Sequence, residues 1–266
     1  MSQTHPANDK ELLVYQQSIG NQKPFTVREH GPVFACPFCD HSQLPPIIKQ
    51  DGDILLVPNK YPILRNTDPY VLIETSICDS ELSLYSQDHL VRVFSMAFDL
   101  WHTMLTNPAF RSVLFMKNHG PFSGGSIRHP HMQLIGLHDV DALAHIQLED
   151  FLGPIIEEES GVQLTVSSSP RVGFVELNVI LRETGSAAFP VFCMLIQKAV
   201  RYILRHFHDG LIDSYNLFFY YIDETTYCKI MPRSATTPIF VGYSIAQVVD
   251  DLASIVEDYL RQDLSV

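Results

Sequence analysis

Basic residues are scarce in this chain. Lysine and arginine total 18 against 30 aspartates and glutamates, for a formal charge of −12. A protein that tracks a duplex or an RNA strand carries a basic face, so the shortage argues against a nucleic acid polymer as partner. A single nucleotide stays open, because a pocket needs only a few donors. Lys60, Lys117, His119 and Arg128 lie where local positive charge could be supplied, unless they are ordinary solvated charges. Long apolar runs are also missing: none reaches the roughly 20 residues that a membrane helix needs. Residues 1–11, MSQTHPANDKE, lack the apolar core of a secretion signal. Together these point to a cytoplasmic address and no membrane. Cysteine is sparse and odd in number: Cys36, Cys39, Cys78, Cys193 and Cys228. That argues against a disulfide framework. Cys193 and Cys228 sit in apolar stretches and read as small buried hydrophobes.

What is present is ordinary globular composition, 46% hydrophobic and 18% charged over 266 residues. Such a length buries one large core or two small ones. A helix is predicted over Gln87 to Thr106, where Leu90, Val93, Phe94, Ala97, Phe98, Trp101 and Leu105 recur three or four apart. Asn107-Pro108 stops it. A second helix is expected from Asp139 to Phe151. Strands are expected at Ile54–Val57, Tyr70–Thr75, Val113–Met116 and Met132–Leu137, after an extended arm over residues 1–32. The order then repeats, with a helix over Ala188 to His208, strands at Tyr215–Ile222 and Tyr227–Met231, and a last helix over Ala246 to Leu260. The fold class is therefore α+β: two related units in tandem, each an antiparallel sheet with packed helices, at residues 1–155 and 156–266. The acidic stretch Glu157-Glu158-Glu159-Ser160-Gly161 reads as an exposed linker between them.

The most informative segment runs from Asn118 to Gln133. A glycine-serine turn, Gly124-Gly125-Ser126, leads into His129-Pro130-His131-Met132-Gln133. Residues two apart share a face of a strand, so His129, His131 and Gln133 project together behind a turn whose backbone N–H groups form an anion cradle. Ser126 adds a hydroxyl donor. Gln133 adds an amide N–H that does not titrate. His131, near an ordinary pKa of about 6.5, is mostly neutral at pH 7 and has a lone pair for attack on phosphorus. The product would be a covalent nucleotidyl-imidazole. A lone histidine is more often a satisfied core residue, but three polar residues alternating behind such a turn are not a lone histidine.

Cys36-Pro37-Phe38-Cys39 offers two thiolates at a spacing that grips one tetrahedral ion. His129 and Cys78 are candidates for the remaining ligands. A Cys₃His set favours Zn²⁺ and closes the site, which makes the ion structural. A redox role for the pair expects a thioredoxin-type βαβ setting, which the pattern lacks; two unrelated buried thiols are the plain alternative.

At these residues the chain resembles galactose-1-phosphate uridylyltransferase and its relatives in the histidine-triad (HIT) superfamily. Asn118, Gly120, Gly124, Ser126, His129, His131 and Gln133 fall into that family's loop and His-Pro-His-x-Gln strand without a gap. The likeness is good over residues 30–140 and weak over 170–250. It implies that His131 is the nucleotidylated nucleophile and that His129, Cys36 and Cys39 are zinc ligands. Leu72-Ile73-Glu74-Thr75 matches the strand before the remaining ligand, which places Cys78 where the family carries histidine. Asn59, Asn118 and Ser126 fall at nucleotide- or phosphate-binding positions. Two departures matter. The second half has no His-x-His in Tyr227–Arg233, so a second metal is unsupported. Phe240-Val241-Gly242-Tyr243-Ser244 ends in serine where the family has a sugar-binding glutamate, so galactose specificity is unsupported.

The resemblance implies a nucleotidyltransferase, taking a nucleotide or nucleotide-sugar and a phosphate-ester acceptor, and built as a homodimer. A HIT-type hydrolase is a second reading, although such hydrolases carry histidine where Gln133 stands. A non-catalytic nucleotide-binding zinc protein is a third, motivated by the eroded second half.

Overall fold

The computed structural model of the chain describes residues 12–26, 36–182, 185 and 187–264. Ten strands form one antiparallel sheet. The first half supplies β1 (Lys49–Asp51), β2 (Ile54–Pro58), β3 (Thr67–Ile73), β4 (Ser112–His119) and β5 (His131–Leu137). The second supplies β6 (Ile155–Glu159), β7 (Val162–Val166), β8 (Leu177–Leu181), β9 (Tyr215–Ile222) and β10 (Thr225–Pro232). The order across the sheet is β1-β2-β3-β5-β4-β9-β10-β8-β7-β6. Each half thus has the same internal order, and the two meet edge to edge where β4 pairs with β9. The expected α+β pair of antiparallel units in tandem is what the chain forms.

Among the described residues five α-helices accompany the sheet: α1 (Gln17–Gly20), α2 (Gln87–Leu105), α3 (Ala188–Arg205), α4 (Pro238–Tyr243) and α5 (Leu252–Arg261). Helix α2 starts because the Ser86 hydroxyl accepts from the His89 amide and Asp88 sits at the positive end of the dipole. Its apolar stripe, Leu90, Val93, Phe94, Ala97 and Trp101, is buried. Helix α3 carries Pro190 in its first turn, where no helix hydrogen bond is lost. It buries Phe192, Leu195, Ile196, Ala199 and Val200.

Alternation along the strands fixes which face each side chain takes. Leu56, Leu72, Val113, Phe115, Met132, Leu134, Leu217 and Phe219 join α2 and α3 in the main core. Phe115 and Phe219 are register partners across the seam, and their rings stack 4.0 Å apart. Leu55, Val57, Val71 and Ile73 face the other way and form a separate cluster with Phe38 and Leu44. His131, paired with Ile73, and Gln133, paired with Val71, lie on that second face.

Several expectations need correction. Residues 139–151 form turns and one short 3₁₀ segment, Leu148–Phe151, and no α-helix. Phe151 is instead buried against Ile180 and Tyr227 on the second half of the sheet. The acidic stretch is not a linker: Glu157–Glu159 belong to β6, and Ser160-Gly161, both at positive φ, make the hairpin turn to β7. Strands β1, β6, β7 and β8 were not expected. The last helix begins at Leu252, where Asp251 caps it, rather than at Ala246. Helix α3 ends at Arg205 rather than His208. Residues 1–11 and 27–32 of the expected arm lie outside the described residues; within 12–26 the chain makes the single turn α1 and a bridge from Tyr15 to Leu64.

Candidate active site and metal cluster

The sulfurs of Cys36, Cys39 and Cys78 and an imidazole nitrogen of His129 lie within 4.8 Å of one another. Three segments distant in sequence meet here: the Cys-x-x-Cys turn, the loop after β3 and the residue pair before β5. The His129 Nε2–H donates to the Thr75 carbonyl at 2.7 Å, since a carbonyl can only accept. Nδ1 is then the lone-pair nitrogen, and it lies 3.5 Å from both Cys36 Sγ and Cys39 Sγ. Donors on a zinc tetrahedron, with bonds of about 2.0–2.3 Å, sit roughly 3.5–3.8 Å apart. The donor set therefore fits a metal, with the outer hydrogen bond fixing the tautomer.

The thiols themselves ask for a cation. Burial pushes the Cys36 thiol up, but the adjacent His129 imidazole and hydrogen bonds from the Phe38 and Cys39 amides outweigh it and bring it to about 7. Burial raises Cys39, and burial with the neighbouring Cys36 raises Cys78 to about 12. Three sulfurs this close cannot all ionise without a positive charge among them.

His131 sits at the start of β5, two residues past His129. Its Nδ1–H donates to the His129 carbonyl at 2.8 Å. The free lone pair is thus on Nε2. Burial holds its pKa down to about 4, so the ring is neutral at pH 7. Phe38, between the two cysteines, packs edge-on to both imidazoles at 5.8 and 5.2 Å. The cysteine turn and His131 are therefore braced by one aromatic ring.

A cleft of about 230 Å³ opens beside His131. Gln133, Gly124, Gly125, Ser126 and Asn59 line it with His131. Phe38, Leu44, Val57 and Val71 give it an apolar wall. The expected site residues therefore converge, with one exception. Asn118 does not line the cleft. It sits beneath the glycine turn, where a Cβ on Gly125 would stand 3.1 Å from the Asn118 Cβ.

Of the four cationic candidates, only Lys60 lines the cleft. Lys117 points into the other face of the sheet, fully buried against Glu74. His119 stacks on Tyr215. Arg128 pairs with Asp79 outside the cleft. The strand alternation that puts His131 on one face puts Lys117 on the other. Lys23 was missed. It lines the cleft, carries no ion pair to a described carboxylate, and burial lowers its pKa. Its charge also acts on His131. The arm is brought there by two bonds, Thr26 N–H to the Ser126 carbonyl at 2.7 Å and Arg128 N–H to Thr26 Oγ1 at 3.2 Å.

The loop from Gly120 to Ser126 is held largely by the second half. Gly120 has φ +82°, and a Cβ there would lie 2.3 Å from the Asp213 carbonyl; only glycine fits. Ser214 Oγ accepts from the Phe122 amide at 3.1 Å, and Asn216 Nδ2 donates to the Ser123 carbonyl at 3.0 Å. Nothing local in the sequence announces these partners.

Comparison with known proteins follows the same division. The profile described as the N-terminal domain of a domain of unknown function, DUF4931, matches residues 15–140, and that of its C-terminal domain matches residues 143–263. A DUF4931 family protein from Bacillus cereus is 37% identical, over 82% of this chain and 100% of that one, with a TM-score of 0.73. An ADP-glucose phosphorylase from Arabidopsis thaliana, solved with bound ADP-glucose, is 15% identical over 89% and 93%, with a TM-score of 0.70. A GalT-like protein from the same plant is 16% identical over 96% and 100%, with a TM-score of 0.68. These last two share the fold of this chain. No curated protein matches the sequence.

Proposed function

We propose that this chain, which belongs to the DUF4931 family, is a nucleotidyltransferase working through a covalent nucleotidyl-histidine. The observation that carries the reading is the tautomer and setting of His131: a neutral ring, Nδ1–H tied to a carbonyl, Nε2 beside a cleft walled by a glycine-serine turn. In the first step Nε2 gives its pair to the α-phosphorus of a nucleotide. The N–P bond forms, and the P–O bond to the leaving phosphate ester breaks with its electron pair. The ring's positive charge is shared with the His129 carbonyl through Nδ1–H. In the second step a phosphate-ester acceptor takes the nucleotidyl group and frees the ring. Gln133 and the N–H groups and hydroxyl of Gly124, Gly125 and Ser126 meet the charge on the phosphoryl oxygens. Asn59 also lines the cleft and would meet the nucleoside.

Cys36, Cys39, Cys78 and His129 would hold Zn²⁺, which with four protein ligands supplies structure and no open position. Residues 1–155 would form the catalytic unit and 156–266 a degenerate copy, in a cytoplasmic homodimer. The fold neighbour named for ADP-glucose phosphorylase supports a nucleoside diphosphate-sugar as substrate.

The test is mass spectrometry of the protein after exposure to a panel of nucleoside diphosphate-sugars and dinucleoside polyphosphates. An acid-labile nucleotidyl adduct on His131 is expected. Rapid turnover without an acceptor would instead identify a hydrolase, and turnover that survives His131→Asn would discard the assignment.

A further inference from the structure

The loop that carries Cys78 leaves the sheet before it reaches the cluster. The β3–β5 ladder ends with Ile73 opposite His131. One more backbone bond joins the two segments, from the Glu74 amide to the Pro130 carbonyl at 3.1 Å. Beyond it, two amides of the loop find side chains. The Ile77 amide donates to Thr75 Oγ1 at 3.2 Å. The Ser76 amide donates to Asp53 Oδ2 at 3.0 Å. The same carboxylate oxygen accepts from Thr75 Oγ1 at 3.1 Å and from Ser76 Oγ at 3.2 Å. One oxygen thus gathers three donors from two adjacent loop residues.

The β1–β2 hairpin brings Asp53 there. Gly52, at φ +61°, makes the turn. The register of β2 on β3, with Leu55 opposite Ile73, puts Asp53 opposite Thr75 two residues further on. Where the ladder would continue through the backbone, a side chain takes over. Arg92 of α2 holds the same hairpin from the other side of the turn, through Asp51 at 2.7 and 2.8 Å. The loop in turn carries two things that the cluster uses. One is Cys78. The other is the Thr75 carbonyl, which takes the His129 Nε2–H at 2.7 Å and leaves Nδ1 facing Cys36 and Cys39. Asp53 itself stands outside the four converging donors.

We propose that Asp53 is a positioning residue for the metal cluster: it does not ligate, but it fixes the loop that presents Cys78 and the carbonyl that orients His129, and so sets how tightly the cluster holds Zn²⁺. The proposal rests on the reading above that Cys36, Cys39, Cys78 and His129 bind that ion. A carbonyl or carboxylate behind a metal-bound histidine fixes its ring and tautomer, and losing such a partner costs about 10–100-fold in metal affinity. Here the carboxylate acts one step further back, on the residue that bears the carbonyl and on its neighbour.

The test uses the full chain, stripped with a chelator and refilled. Co²⁺ is the first probe, because thiolates on a tetrahedral Co²⁺ give visible and near-ultraviolet bands that report the donor set. Zn²⁺ is the second, its affinity measured by competition with a chromophoric chelator. Asp53→Ala is expected to hold Zn²⁺ about 10–100-fold more weakly than the parent, with altered cobalt bands. Asp53→Asn keeps an oxygen for the Ser76 amide and the Thr75 hydroxyl and is expected to recover most of the parent's affinity. Asp51→Asn weakens the grip of Arg92 on the same hairpin without touching the loop, and is expected to leave the affinity unchanged. Parental Zn²⁺ affinity in Asp53→Ala overturns the proposal. So does an equal loss in Asp51→Asn, which would make the effect one of the hairpin as a whole. If Asp53→Ala does not fold, Thr75→Val removes the hydroxyl between Asp53 and the Ile77 amide with little change of shape. Weaker Zn²⁺ binding by that variant then supports the proposal, and parental affinity overturns it. A parent that shows no cobalt–thiolate bands would remove the metal reading and the proposal together, an outcome seen before any variant is made.

Discussion

The two halves of the sheet share a strand order, yet their open faces have opposite fates. On the first, the face that carries His131 and Gln133 opens into a cleft. On the second, the face that carries Tyr227 and Lys229 is sealed. Phe151 lies over it, stacked on Tyr227 at 4.5 Å. Lys229 is buried, donating to Glu176 at 2.8 Å and to the Asp150 carbonyl at 2.6 Å. Arg171 completes the group by pairing with Asp150. The comparison teaches that the sheet alone does not make a site. What crosses its face does: a glycine turn and a cysteine turn in one half, an aromatic ring and an ionic cluster in the other.

The sharpest way to break the contrast is at the nucleophile. His131→Asn should lower adduct formation by at least about a thousandfold, the scale on which lost nucleophiles are felt, while nucleotide binding by calorimetry persists. Next comes the sealed face. Lys229→Met leaves Glu176 buried without its counter-ion, held only by the Arg171 and Val172 amides, and should cost about 3–5 kcal/mol in urea unfolding. The double change Lys229→Met with Glu176→Gln removes the buried charge while keeping an acceptor for the Arg171 and Val172 amides; it should restore much of that, and adduct formation in the folded protein should not move. Third is the Cys36, Cys39, Cys78 and His129 cluster. A chelator that strips the metal this cluster would hold should lower the melting temperature by roughly 5–10 °C, on the scale of 2–4 °C per kcal/mol for a chain of this size. Hydrogen exchange should rise around residues 36–39, 75–78 and 129–131 and stay low in β7 and β8.

Acid offers a smaller test. Burial, with Lys117 and Arg128 nearby, holds the His119 pKa down to about 3. The unfolded chain takes up that proton below about 6.5 and the folded chain does not, so the native state is favoured fully above pH 6.5 and loses stability as pH falls toward 3. At pH 5 the loss attributable to His119 is about 2 kcal/mol, and His119→Asn should flatten the stability profile between pH 7 and 5 by that amount. Smallest is Lys23→Ala. Removing a half-buried ammonium from the cleft should weaken nucleotide binding about tenfold with little change in melting temperature.

Much of the site was legible because its signals are local. Strand alternation places His129, His131 and Gln133, and turn chemistry places Gly124, Gly125 and Ser126. The Cys-x-x-Cys turn, Cys78 and His129 come together as thiol and imidazole chemistry anticipates. The errors share one cause. Residues 139–151 carry enough apolar periodicity to read as a helix, but Phe151 is claimed by the second half of the sheet. Glu157–Glu159 are polar enough to read as a linker, but their backbone pairs with β7 at the sheet edge, where solvent tolerates carboxylates. Lys117 was put near the anion because alternation was not followed back along β4.

By itself the sequence determined the chemistry on offer: alternating imidazoles on one strand, a glycine-serine turn before them, and thiols and an imidazole able to hold a metal. Only the tertiary structure decided how they are aimed. The Gly120–Ser126 loop is held by Ser214 and Asn216, about a hundred residues away in the chain, and the orientation of Asn118 depends on Arg233 through Asn216. Hydrogen-bond direction belongs to a network of donors and acceptors, and no stretch of sequence contains both ends of that one.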